Sequence, residues 1–270
     1  MTNRFNIGGE CMTYKDSNGL IKFCGHIYPR PDRLDIPLKR KKPTVWAVWN
    51  DLFHEDVPLK FIDKAFYTMN KAEWHTYLIL TKRHERLLNY FDSPIYEFPD
   101  VGRHKFLRDH IYHGLTICNQ QEADEKIPIF LQVPGKKFLS IEPMLGAIDL
   151  RNIQEPGIHP SSLRNALNGQ YFPAISTPHN RSHIDAVILG GETGSGARPM
   201  HPDWVRSVRD QCQAAGVPFF FKGWGRWGLN WTKDDNGNVV NEWMDSGVKH
   251  SRLLDGKEHN ELPWKQKENL

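Results

Sequence analysis

Residues 184–192 read Ile-Asp-Ala-Val-Ile-Leu-Gly-Gly-Glu. A short apolar run ends abruptly in residues that can bind or carry charge. Upstream, Thr44–Trp49 runs into Asn50-Asp51, and Thr76–Leu80 into Thr81-Lys82-Arg83. Gly114–Cys118 meets Asn119-Gln120, and Lys137–Ile141 meets Glu142-Pro143. Downstream, Val217–Phe221 ends at Lys222. Helix-length stretches separate several of these runs, so the rhythm predicts parallel β/α units joined by right-handed crossovers. Polar groups at the carboxyl ends of successive parallel strands gather at one mouth, which is where α/β barrels place their sites. The expected fold is therefore α/β: a partial (β/α) TIM-like barrel of about six parallel strands.

The intervening helices have their own signals. Pro58 suits a helix start, and Phe61, Ile62, Ala65, Phe66 and Met69 are spaced for one buried face. A shorter helix fits His84–Tyr90, and another fits Glu122–Leu131 with a break expected at Pro128. Asp203–Ala214 is the clearest, with Pro202 ahead and Gly216 behind as a C-cap signal. Residues 1–35 read as an irregular lead-in. Residues 151–183, rich in Pro, Ser, Asn and His, read as an insertion lying over the barrel mouth. The barrel is expected over residues 1–228. A Trp-rich appendage is expected over 229–270, a β-hairpin turning at Asn236-Gly237.

The chain has 270 residues, a formal net charge of +3, 39% hydrophobic and 25% charged residues. That composition suits one globular domain and permits, without requiring, an anionic partner. No apolar run reaches the roughly 18 residues of a membrane span, and MTNRFNIGGE lacks the apolar core of a secretory signal. Four cysteines with no C-x-x-C pattern fit a cytoplasmic, reduced setting. Cys118 and Cys212 read as buried thiols.

Several strand ends carry chemistry. Gly190-Gly191-Glu192-Thr193-Gly194-Ser195-Gly196 offers backbone N–H groups to an anion, though it lacks the lysine of a P-loop, and a tight turn explains it equally well. Thr81, Lys82, Arg83, Arg198 and Lys222 favour a phosphate or carboxylate, with Glu142 and Glu192 as the acids. Asn50, Asp51 and His54 lie in a stretch rich in carboxylates whose spacing matches no zinc or calcium pattern. Asn50 and Asp51 read as polar ligand contacts, and Asp56 as a helix cap. Lys39–Lys42 reads as a solvated charge run, with nucleic-acid contact as its rival.

Six blocks carry a resemblance: residues 30–38 (RPDRLDIPL), 50–58 (NDLFHEDVP), 80–83 (LTKR), 138–146 (FLSIEPMLG), 190–201 (GGETGSGARPMH) and 218–222 (PFFFK). Together they resemble an uncharacterised phage and bacterial three-cysteine-motif family, itself similar to radical S-adenosylmethionine (radical SAM) enzymes. The likeness runs from about residue 20 to 262 and includes Leu253-Leu254-Asp255-Gly256. It implies SAM and a 4Fe–4S cluster as cofactors, and reductive cleavage of SAM to a 5′-deoxyadenosyl radical. A nucleobase, nucleotide or nucleic acid is the implied substrate, the product of a neighbouring gene the implied partner, and the cytoplasm of a bacterial host the implied location. Glu192, Asn50, Thr81 and Asn119 become candidate SAM or substrate contacts. The family's closely spaced cysteines ending in C-x-x-C-Y-A have no counterpart here, and Met1-Thr2-Asn3-Arg4-Phe5 resembles the end of the helix that follows them. Cys11 and Cys24 stand thirteen positions apart with no third thiol nearby, poor material for a cluster. The expectation is therefore a start codon internal to a longer gene, or a remnant. A ligand-binding barrel without catalysis, or a metal-assisted hydrolase at Asp51–His54–Asp56, are the alternatives.

Overall fold

The computed structural model of the chain describes residues 13–15, 17, 21–23, 27–48, 50–93, 108–155, 157, 159, 162–172, 182–233, 239–245 and 252–264. Cys11, Cys24, Trp49 and the Asn236-Gly237 turn lie outside them. A small antiparallel pair, β1 (Thr13–Lys15) and β2 (Ile21–Phe23), and a single turn, α1 (Ile36–Lys39), precede the main body. There β3 (Val45–Val48), α2 (Leu59–Lys71), β4 (Thr76–Thr81), α3 (His84–Asp92), β5 (Ile111–Thr116), α4 (Gln120–Phe130) and β6 (Lys136–Ile141) alternate. Three two-residue strands follow, β7 (Ile153–Gln154), β8 (Leu163–Arg164) and β9 (Tyr171–Phe172). The alternation then resumes with β10 (Ala186–Gly190), α5 (Pro202–Ala215) and β11 (Phe219–Gly223). Last come the hairpin β12 (Trp227–Lys233) and β13 (Val239–Asp245) and the small pair β14 (Leu253–Leu254) and β15 (Lys257–Glu258).

The six central strands pair in the order β11-β10-β6-β5-β4-β3, all parallel. Each new strand adds beside the one before, so the sheet curls into a half-barrel instead of reversing as a doubly wound sheet does. The expected fold is the observed one. Side-chain parity then sorts the two faces. Tyr77, Ile79, Ile111, Leu115, Leu139, Ile141, Val187, Leu189, Phe219 and Phe221 face the helices, packing with Ile62, Phe66, Ile127, Val205 and Val208. Leu78, Tyr112, Phe138, Ala186 and Ile188 form a smaller cluster on the concave face, against Phe220 and Trp264. Gly114 is the counterpart of Phe138: a Cβ there would sit 2.2 Å from the phenyl Cζ.

Local chemistry explains the helix limits. Asn119 caps α4, its side chain accepting from the Glu122 amide at 2.9 Å, while Glu122 accepts from the Cys118 amide at 3.0 Å. Helix α4 is not broken at Pro128. The proline sits in the last turn, where only one backbone donor is lost before the chain leaves the helix. Gly216, at φ 68°, ends α5 in the left-handed conformation.

The free side of β11 is occupied by the tail, where the Phe221 amide donates to His259 O at 2.9 Å and the Glu261 amide to Phe219 O at 3.3 Å. The described part of the insertion does not lie over the mouth. It packs against α4 and toward the amino ends of the strands: the Ile184 amide donates to Ala166 O and Arg164 donates to Ser182 O. Its apolar residues Ile153, Ala166 and Leu167 are buried in the helix-side core, which draws it down. No helix among the described residues is long and apolar enough to cross a membrane.

Candidate functional site

A cavity of about 480 Å³ opens at the carboxyl ends of the sheet. Five of the six strands contribute to it: Leu80 from β4, Thr116 from β5, Ser140 from β6, Gly190 from β10, and Lys222 with Gly223 from β11. Positions 80, 82, 116, 140, 142, 190 and 222 share the inward parity of Leu78, Phe138, Ile188 and Phe220. Parity therefore decides which polar strand ends reach the cavity.

Two ion pairs frame it. Lys222 Nζ lies 2.9 Å from Glu142 Oε1, with the lysine 62% exposed and the acid 18%. Ser140 Oγ donates to the other Glu142 oxygen at 3.4 Å. Arg198 grips Glu192 through Nε at 2.8 Å, the second guanidinium nitrogen at 2.9 Å and its own amide at 2.8 Å. Those bonds from Arg198 hold the Glu192 carboxyl down at about 2. The rim is shaped by close backbone packing. The Gly191 amide donates to Gly223 O at 2.9 Å, and the Arg226 amide to Glu192 O at 2.7 Å. A Cβ on Gly191 would lie 2.1 Å from Trp224 O, and one on Gly225 2.2 Å from Glu192 O. Only glycines let the two loops touch.

The other candidates divide. Lys82 lines the cavity, and its ammonium has no ion-pair partner among the described residues. Thr81, one residue earlier, has the opposite parity and is buried, donating to Asp51 Oδ1 at 2.6 Å. Asp51 also takes the Lys82 amide at 3.3 Å and an Arg83 guanidinium nitrogen at 2.6 Å, and Arg83 reaches Glu55 at 2.8 Å. Asp51, Thr81 and Arg83 thus clamp the β3 loop to the end of β4 and stay outside the cavity lining. Asn50 is exposed and also outside the lining. His54 Nδ1 accepts from the Asp56 amide at 3.3 Å and lies 3.7 Å from the carboxylates of Glu55 and Asp56. Asn119 is committed to its helix cap, and burial pushes the neighbouring Cys118 thiol up. Of the expected positive rim, Arg83, Arg198 and Lys222 are already paired with acids.

Sequence reading missed Thr116, Ser140, Gly223 and Gly225 as lining residues. Ser140 and Thr116 were findable: each is a hydroxyl inside an apolar run, and Ser140 stands two positions before Glu142, on the same face. No group of three or more His, Cys, Asp or Glu that could hold a metal ion occurs among the described residues.

From residue 3 to 263 the chain matches the family described as Protein of unknown function (DUF5131), and it belongs to that family. No curated protein and no solved structure matches it.

Proposed function

We propose that the cavity at the carboxyl ends of the strands binds S-adenosylmethionine, as part of a radical-SAM-like protein that modifies a nucleobase or nucleic acid when a cluster segment is present. The observation that carries this reading is the Glu142–Lys222 pair at the cavity wall, beneath Gly190 and Gly191. An amino-acid zwitterion can insert between such partners: Lys222 is the candidate for its carboxylate, and Glu142 the candidate for its ammonium. The exchange leaves every charge compensated, so opening a half-exposed pair costs little. Lys82, with no acid partner among the described residues, is the group available to a phosphate of a nucleotide substrate.

The described residues do not fit a 4Fe–4S cluster, which takes three thiolates held together. Cys118 lies by the mouth and Cys212 is buried on the inner face of α5. This observation favours the second reading, a ligand-binding barrel without its own cluster. For a metal-assisted hydrolase, Asp51 would have to leave the clamp it makes with Thr81 and Arg83.

Calorimetry with SAM and with S-adenosylhomocysteine tests the site. The expected result is saturable binding of both, weakened about tenfold in Lys222→Met and in Glu142→Gln, about 1.4 kcal/mol each. A native chain that takes up neither compound overturns the reading. A visible cluster absorption after anaerobic treatment with iron and sulfide separates the enzyme reading from the cluster-free one.

A further inference from the structure

A second cavity, of about 510 Å³, opens at the other end of the same sheet. It lies where the chain enters β5, β6 and β10, and Arg108, Asp109, Lys136, Lys137, His183 and Asp185 line it. Along β6 the two cavities are separated by about 20 Å, at roughly 3.3 Å per strand residue. We infer that this cleft is a binding site for a phosphate-bearing small molecule, with Lys137 as its buried anchor.

The ion pairing in this cleft is incomplete. Lys137 is only 3% exposed, and its Nζ donates to Gly135 O at 2.8 Å. Buried lysines are rare unless a carboxylate joins them. The nearest acid, Asp185, is turned to other donors: Lys136 Nζ at 2.8 Å and the Lys137 amide at 2.8 Å. An ammonium has three N–H donors, and a single carbonyl leaves capacity for an anion. The surroundings favour one. Lys136 stands beside it on β6, Arg164 of the insertion, paired with Glu155, adds positive potential, and Arg108 and His183 stand on the walls. Two acids, Asp109 and Asp185, oppose them. The volume exceeds that of a bare phosphate ion and suits a phosphorylated metabolite.

The site has a proton signature. Burial pushes the Lys137 ammonium down to about 8, with Asp185 acting the other way and Arg164 and Lys136 adding to the fall. His113, its register partner on β5, is held neutral by burial and adds no charge. A bound dianion favours the charged lysine, so phosphate binding above about pH 8 takes up a proton at Lys137.

Calorimetry of the full chain with inorganic phosphate and with glycerol phosphate at pH 8.5, in two buffers of different ionisation enthalpy, tests this. The expected result is saturable one-to-one binding with proton uptake. Lys137→Met lowers affinity at least tenfold and abolishes the uptake, whereas Lys136→Gln lowers affinity about threefold and keeps it. No saturable binding overturns the proposal, as does native binding without proton uptake. Equal affinity in both variants also overturns it, because it assigns the phosphate to the mouth. Should Lys137→Met fail to fold, proton uptake in the native chain and Lys136→Gln still decide. The result is independent of SAM: loss of that reading leaves phosphate binding unchanged.

Discussion

The two ends of one parallel sheet handle charge in opposite ways. At the carboxyl end, Glu142 with Lys222 and Glu192 with Arg198 keep their charges half in water, where a pair costs little to make or break. At the amino end, Lys137 is buried at the wall of the cleft with one carbonyl as its hydrogen-bond acceptor, and its nearest acid faces elsewhere. Strand direction explains part of this. Loops at the carboxyl ends are free to be polar because the helices begin there and cap themselves, as Asn119 does. Parity explains the rest: Glu142 and Lys222 share the concave face, whereas Lys137 has the opposite parity and lines the amino-end cleft. A mouth of exchangeable pairs is suited to admitting a zwitterion, and a lone buried cation is suited to holding an anion.

The largest expected effect comes from truncating the fully buried ring of the concave cluster. Phe138 fills the space over Gly114, two positions before Ser140 on the concave face. Phe138→Ala is expected to cost about 4 kcal/mol in urea unfolding and to weaken ligand uptake at the mouth. Phosphate binding at the amino end should survive in the fraction that folds. A cost below about 1 kcal/mol would mean that the ring is not packed into the space over Gly114.

Next is Lys137→Met, which should stabilise the chain by about 2 kcal/mol at pH 7, because a desolvated ammonium is replaced by an apolar side chain of similar volume. The sign with pH is fixed. Between about 8 and 10.5 the native chain has released the Lys137 proton while the unfolded chain keeps it, so native stability rises through that window. The advantage of the methionine therefore shrinks from pH 8 to 10. Urea titrations at pH 7 and 9.5 measure it, and an equal gain at both would place the ammonium in water.

Asp51→Ala comes third, at about 1–2 kcal/mol, because Thr81 and Arg83 lose a shared acceptor. Ligand affinity at the mouth should stay within twofold. A tenfold loss would move Asp51 from the clamp into the site.

The strand ends were legible because an apolar run followed by polar residues has few other uses in a βα repeat. Which of those ends face the cavity was not read out, although the information was present. Lys82 and Thr81 are neighbours, and only counting alternate positions back from Leu80 and Leu78 separates the one that lines the cavity from the one that is buried. The insertion was legible as an interruption but not in its placement. Its strands have two residues each, too few to show a period, and its burial depends on β7 meeting α4 and on Ala166 meeting Ile184 just before β10. The amino-end cleft could not be read from sequence. Lys137 looks like the first residue of a strand, and the groups that define its surroundings, Asp185 and Arg164, belong to segments distant in the chain.

The smallest effect is the sharpest test of the contrast. Glu192 is held by three bonds from Arg198, and its carboxyl is drawn down from 4.5 to about 2. A group lowered in the folded state adds stability that is complete above about 4.5 and disappears as the pH falls toward 2. Because Arg198 is 60% exposed, solvent screens the pair, and Glu192→Gln should cost only about 0.5 kcal/mol at pH 7. That cost should fade between pH 4.5 and 2, and should fall further in 1 M salt, where exposed charges barely interact. SAM affinity should drop more than stability does, about fivefold, since the freed Arg198 then competes as an unpaired cation at the rim. Unchanged affinity in Glu192→Gln, with Lys222→Met still impaired, would confine the ligand to the Glu142 side of the mouth. Were the stability loss instead several kcal/mol and insensitive to salt, Glu192 would be a buried charge like Lys137, and the two ends of the sheet would be built alike.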